Sequence, residues 1–187
     1  MAVADSVVLD PHKGLFLPYG CGAVLVRDGD HLKDGFRFTA DYLADAQKEE
    51  AIPSPADYSP ELTRHFRAMR LWFALKFHGV ESFRQSLEEK LQLARQLYGD
   101  LLADGFELGP VPDLSCVTLR LANANDQATE RFLAKLLERG RVHLSSTRFQ
   151  GKFWLRACIL CFRSHKEDTA ILREELNRAR DEYQNRG

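Results

Sequence analysis

The 187-residue chain carries 26 Lys plus Arg against 27 Asp plus Glu, a formal net charge of −1 at pH 7. That balance argues against a dedicated nucleic-acid or membrane-surface binder, and no apolar run approaches the length of a membrane span. A hydrophobic content of 44% fits a globular chain with a core. An N-terminus with Asp5 and Asp10 and no basic segment does not read as a signal peptide, which makes the cytoplasm the expected compartment.

In chain order, Ser6-Val7-Val8-Leu9 and Gly22-Ala23-Val24-Leu25-Val26 read as two short buried strands joined by a turn. Asp28 to Pro60, rich in charge, glycine and proline, reads as a long irregular stretch. Ser59-Pro60-Glu61 is expected to open a helix with Leu62, Phe66, Met69 and Phe73 as its buried stripe and Gly79 as its end. A second helix is expected over 81–104, with Phe83, Leu87, Leu91, Ala94 and Leu101 on one face. Strands follow at 106–108 and 116–121. A helix capped by Asn125 or Asp126 carries Phe132, Leu133, Leu136 and Leu137 and stops at Gly140. Strands at 142–146 and 153–162 precede a last helix. Ser164-His165-Lys166-Glu167 is read as its capping box, and Leu172, Leu176, Ala179 and Tyr183 point inward. From residue 56 onward the order is α-α-β-β-α-β-β-α, an α+β layer with a small, mostly antiparallel sheet.

Asp10-Pro11-His12-Lys13 lies where the first two strands end. A lysine held beside apolar walls there would lose hydration, which favours its neutral form, and a neutral amine can attack a carbonyl. The same tetrapeptide is also compatible with a surface lysine in a loop. Among the four cysteines, Cys158 and Cys161 make a C-x-x-C. On a strand, residues three apart face opposite sides, so these two are expected to be core cysteines and not ligands of one metal. No metal site is expected. His31, His78, His143 and His165 lack ligand spacing, and Arg64 and Arg67 are expected to be structural or interfacial.

Val7 to Cys21, Val-Val-Leu-Asp-Pro-His-Lys-Gly-Leu-Phe-Leu-Pro-Tyr-Gly-Cys, resembles the cofactor-lysine segment of the group II pyridoxal-phosphate-dependent amino acid decarboxylases. Three further blocks resemble that family in the same order: Phe36 to Leu43, Arg64 to Phe73 and Lys152 to Cys158. The resemblance implies the C-terminal part of a fold-type-I α/β enzyme. Residues 1–55 would be a remnant of the cofactor-binding large domain, and residues 56–187 the C-terminal α+β small domain. The cofactor phosphate pocket, the ring-stacking residue and the carboxylate partner of the pyridine nitrogen would lie upstream of Lys13.

The resemblance further implies a carboxy-lyase that uses pyridoxal 5′-phosphate to decarboxylate an L-amino acid, an aromatic one being the first expectation. It implies a homodimer with shared active sites. Lys13 would be the Schiff-base lysine. His12 and Asp10 would lie near the cofactor phosphate, although many relatives carry Asn at the Asp10 position. An aspartate would repel a phosphate, so Asp10 is expected to turn toward its own backbone instead. Tyr42 matches the mobile-loop tyrosine that protonates the substrate Cα in relatives, a role that suits a phenol; loop packing is its alternative. Arg156 matches an arginine that contacts a substrate carboxylate in glutamate-specific relatives, and a structural salt bridge is equally compatible. Two other readings stay open: a non-catalytic fragment that only dimerises or binds a partner, and an aminotransferase of the same fold type.

Overall fold

The computed structural model describes residues 3–36 and 54–184, which form two compact units, Met1–Gly79 and Val80–Gly187. In the first unit, β1 (Ser6–Leu9) and β2 (Ala23–Val26) pair antiparallel, with Ser6 opposite Val26 and Leu9 opposite Ala23. Between them α1 (Pro11–Gly14) is a single turn. A second short helix, α2 (Asp30–Phe36), interrupts the stretch expected to be irregular. The Asp28 side chain starts it by accepting the Asp30 backbone N–H at 3.0 Å. A 3₁₀ turn follows at Pro55–Tyr58, with Ser54 as its cap, and then α3 (Ala68–His78).

Three expectations are corrected in this unit. The strands expected to be buried carry exposed side chains, Val8, Leu9, Val24 and Leu25 among them. Among the described residues of the unit only Pro11, Leu17 and Cys21 are buried. The helix expected from Pro60 begins at Ala68 instead. Residues 61–67 are held by arginine bonds in place of helical ones: Arg64 donates to the carbonyls of Pro55 and Glu61, and Arg67 forms an ion pair with Glu61. The expected buried stripe is largely exposed, with Phe66 at 70% and Phe73 at 58%. Gly79 does end the helix: its φ of 77° is open to glycine, and its N–H bonds the Leu75 carbonyl.

The second unit is a four-stranded antiparallel sheet with three helices on one face. Its elements are α4 (Val80–Ala103), β3 (Glu107–Leu108), β4 (Cys116–Arg120), α5 (Asp126–Glu138), β5 (Ser145–Phe149), β6 (Lys152–Cys158) and α6 (Lys166–Gln184). The strand order is β3-β4-β6-β5. Alternation puts Val117 and Leu119 of β4, and Leu155 and Ala157 of β6, on the covered face. There they meet Leu97 and Leu101 of α4, Phe132 and Leu136 of α5, and Leu172 and Leu176 of α6.

The element order read from the sequence is the observed one, with local differences. The buried face of α4 is rotated, consisting of Lys90, Leu93, Ala94, Leu97 and Leu101. Lys90 is 1% exposed because its ammonium reaches the Ser164 carbonyl and the Glu89 carboxylate while its stem fills the core edge. Asn125 caps α5, accepting the Ala128 N–H at 2.9 Å. Strands expected at 142–146 and 153–162 are displaced because β5 and β6 form a tight hairpin. Gln150 and Gly151, both at positive φ, turn the chain between Phe149 and Lys152. At α6 the capping bond runs from the His165 N–H to Asp168, three residues on, and not through Ser164 and Glu167.

Two charged clusters fix α6. The Glu175 carboxylate, 0% exposed, accepts from Arg139 at 2.7 Å and from Arg141 at 2.8 Å. Asp104, just past α4, accepts from Arg173 and Asn177, each at 2.7 Å. The Arg173 bond chiefly, and the Asn177 bond after it, hold the Asp104 carboxyl down to about 2 against an ordinary 3.8. A folded-state value below the unfolded one contributes stability above about pH 3.8 that is lost as pH falls toward 2. The urea midpoint of the second unit should therefore drop over that interval, and Asp104→Asn should flatten the drop; an unchanged acid limb in the variant would refute the linkage. Leu155→Ala, at a site with no exposure, should cost about 2–5 kcal/mol in the same assay.

Candidate functional site

The lysine turn is built from local constraints. Asp10 is the residue before the helical turn, and Pro11 takes its first position, where no N–H is needed. The Lys13 N–H closes the turn on the Asp10 carbonyl at 2.8 Å, and the Leu17 N–H returns to Pro11 at 3.1 Å. His12 is fixed from two sides. Its Nδ1 lies 3.2 Å from the Cys21 carbonyl, and its ring centroid lies 5.2 Å from that of Tyr19. Arg70 of α3 donates to the Tyr19 and Gly20 carbonyls at 2.8 and 2.9 Å, and the buried Cys21 Sγ lies 3.7 Å from the Arg67 carbonyl. The segment 67–70 thus clasps the loop that carries His12's partners. Sequence reading assigned Arg70 no role, because its partners are backbone carbonyls fifty residues away.

Lys13 Nζ donates to Asp10 Oδ2 at 2.7 Å. This corrects two expectations. Asp10 turns to the lysine side chain and makes no side-chain cap bond to its backbone. Lys13 is 61% exposed, so the described residues do not supply apolar walls around it. The Lys13 hydrogen bond holds the Asp10 carboxyl below its ordinary range, against a smaller opposing effect of burial.

Of the sequence-predicted residues, Asp10, His12 and Lys13 share this one turn. Tyr42 lies outside the described residues, as do residues 37–43 of the block that carries it. Arg156 lies in the second unit, on β6, opposite Thr118 of β4 and Ser145 of β5. Its side chain is exposed on the face away from the helices, and no ion pair involves it among the described residues. The salt-bridge alternative therefore finds no partner among the described residues.

The cysteines also depart from expectation. Cys158 is the last residue of β6 and Cys161 lies beyond it, and both are exposed. Cys158 is instead paired across the sheet with Cys116, their sulfurs 3.6 Å apart. Burial, then the neighbouring Cys116 thiol, pushes the Cys158 thiol up to about 11. Both residues stand in segments legible as strands, but only the register of β4 on β6 reveals the pair.

The fold is shared with solved structures of longer chains. It superposes on the Oryza sativa TDC solved with PLP and tryptamine at a TM-score of 0.85, with 20% identity, covering 96% of this chain and 39% of that one. Catharanthus roseus tryptophan decarboxylase in complex with L-tryptophan gives 0.81 at 21% identity, again covering 96% and 39%. The family model described as the pyridoxal-dependent decarboxylase conserved domain matches residues 1–122, and the chain belongs to that family. It is 33% identical over 174 residues to the aromatic-L-amino-acid decarboxylase of Bacillus atrophaeus, covering 88% of this chain and 36% of that protein. The chain spans about a third of the length of the curated relatives it matches.

The Asp10–Lys13 pair has a direct test. Carbon-13 NMR titration of the Asp10 carboxyl should give a value below 3.8 in the native chain and a return toward 3.8 in Lys13→Met. Identical titrations in the two would show that the pair is not populated in solution.

Proposed function

We propose that the chain supplies the lysine segment and C-terminal region of a pyridoxal-phosphate-dependent carboxy-lyase acting on an L-amino acid, with aromatic amino acids as the substrate class. The observation that carries this reading is the solvent-reachable amine of Lys13, at the mouth of a proline-started turn, in a chain of the pyridoxal-dependent decarboxylase family. The aromatic class is supported by the printed names of the relatives, aromatic-L-amino-acid decarboxylases first among them. Residues 1–55 are assigned to the trailing edge of the cofactor-binding domain and 56–187 to the C-terminal domain, although residues 56–79 group with the lysine turn as one compact unit.

Pyridoxal phosphate supplies an electron sink for the pair left when carbon dioxide departs. The turn fits it at its amine: Lys13 is the group that would hold its carbonyl carbon. His12, immobilised by the Cys21 carbonyl, is the neighbour assigned to its phosphate side. Asp10 fits less well, since a carboxylate repels a phosphate; its partner in this chain is Lys13. Tyr42 is assigned to give a proton to the substrate Cα, and its phenol is neutral and able to donate at pH 7. Arg156, exposed and without an ion pair among the described residues, is assigned to a substrate carboxylate. The working enzyme is read as a cytoplasmic homodimer. Among the described residues no helix is long and apolar enough to cross a membrane.

A second reading, a non-catalytic interaction module, draws on the exposed apolar side chains of α3, including Phe77 at 85%. The experiment that separates the two joins the chain to the upstream region of the Bacillus atrophaeus relative and measures carbon dioxide release from L-tryptophan with added pyridoxal phosphate. Lys13→Ala should abolish release and the borohydride-fixed pyridoxyl label. Tyr42→Phe should keep the label but slow release by about 10²–10⁴-fold. Release that survives Lys13→Ala overturns the assignment, and a chimera that folds without taking up cofactor favours the module.

A further inference from the structure

Cys116 and Cys158 face each other across the two central strands of the second unit, on the sheet face away from the helices. The Ile159 N–H bonds the Ser115 carbonyl at 2.8 Å, so residues 115 and 159 form a hydrogen-bonded pair. Alternation along an antiparallel ladder then makes 116 and 158 a non-hydrogen-bonded pair, where Cα atoms lie about 4.5 Å apart and side chains come closest. A disulfide spans Cα separations of roughly 4.4–6.8 Å, so this site satisfies the requirement without moving either strand. The sulfurs, 3.6 Å apart, need only close to bonding distance by side-chain rotation. Cys158 is exposed and Cys116 half-buried, which leaves one sulfur open to a reagent from solvent and the other positioned behind it. Arg156, two residues before Cys158 on the same face, puts a positive charge beside the exposed thiol.

We propose that Cys116 and Cys158 are a redox modification site, a dithiol that closes to a cross-strand disulfide on exchange with a small anionic disulfide such as oxidised glutathione. Cys158 gives its proton to solvent and attacks one sulfur of the small disulfide as the thiolate. That is the minor form of a thiol held up to about 11, so closure is slow at neutral pH and speeds up as pH rises. A protein–glutathione bond forms, the glutathione S–S bond breaks, and one glutathione thiolate leaves. The Cys116 thiolate then attacks the Cys158 sulfur, forming the protein disulfide and expelling the second glutathione. The protein dithiol loses two electrons and two protons, and one small disulfide becomes two thiols. Cys158 is exposed, so the bond stays within reach of thiols in solvent and can be reopened by exchange. Closed, it ties β4 to β6 around a loop of 42 residues that holds α5 and β5, and it removes freedom from the unfolded chain.

The test treats the native chain with oxidised glutathione, blocks free thiols with iodoacetamide and maps the digest without reduction. The expected product is a monomer whose crosslinked peptide joins Cys116 to Cys158, reversed by dithiothreitol without denaturant. Its urea midpoint should exceed that of the reduced chain, and Cys158→Ser should show neither the crosslink nor the shift. If that variant fails to fold, the crosslink map of the unaltered chain decides alone. Stable glutathione on Cys158 with Cys116 alkylated, a Cys158–Cys161 or intermolecular bond, or two unreacted thiols would each overturn the proposal.

Discussion

The second unit depends on the register of β4 against β6. Val117 faces Ala157 and Leu119 faces Leu155, and all four are buried under the helices. Each buried leucine or valine contributes roughly 1.5–3 kcal/mol relative to exposure. A slip of one residue would turn either Val117 and Leu119 or Leu155 and Ala157 to solvent and drive Thr118 or Arg156 into the core, because side chains alternate faces. The same register decides everything on the open face. It sets Cys116 against Cys158 and Thr118 against Arg156. The Gln150–Gly151 turn then fixes β5 on β6 by geometry alone, since two residues at positive φ match the twist of the strands they join.

Charge positions the helices on this sheet. Glu175, midway along α6, is inside the protein with two arginines from the segment that follows α5, so the end of α5 is tied to the middle of α6. Asp104 does the same between α4 and α6. A buried ion pair gains little over an apolar contact of equal volume, but removing one partner leaves an unpaired charge in a poor solvent. Such clusters therefore restrict the arrangements open to α6 more than they add stability. Lys90 follows the same rule at the other end of the unit, where its ammonium reaches a carbonyl just before α6 begins.

Local signals were legible in the sequence. The order of elements, the Asn125 cap, the stop at Gly79 and the strand pairs flanking Lys13 all follow from residues within a few positions of each other. The failures share one cause, which is distance along the chain. The rotated face of α4 depends on Lys90 reaching the Ser164 carbonyl, in the turn before α6. The late start of α3 depends on Arg64 and Arg67 finding carbonyls and a carboxylate outside any helix. The exposure of β1, β2 and α3 cannot be read from their apolar composition, because composition states a need for cover without naming what covers it. At the candidate site, Asp10, His12 and Lys13 were legible because four residues carry them. The Cys116–Cys158 pair was not, since it exists only through a register set 42 residues away.

The turn at Lys13 sets the ion pair with Asp10 against the carbonyl chemistry proposed for the same amine. Its nitrogen is hydrogen-bonded to Asp10, yet covalent chemistry at a carbonyl needs that nitrogen unprotonated and turned away from the carboxylate. Water reaches both partners, and an exposed pair of this kind is worth little because solvent screens the attraction and two side chains lose freedom to make it. Opening it is correspondingly easy. Rigidity comes instead from the backbone: the Pro11 start, the Lys13 N–H on the Asp10 carbonyl, and the Arg70 bonds that hold the following loop. The side chain can therefore leave Asp10 without disturbing the turn that aims it. Once released, Asp10 keeps a carboxylate three residues from the amine, a partner to which the ammonium can return. A fixed backbone with a loosely held side chain is the arrangement a lysine needs if it is to exchange partners and return.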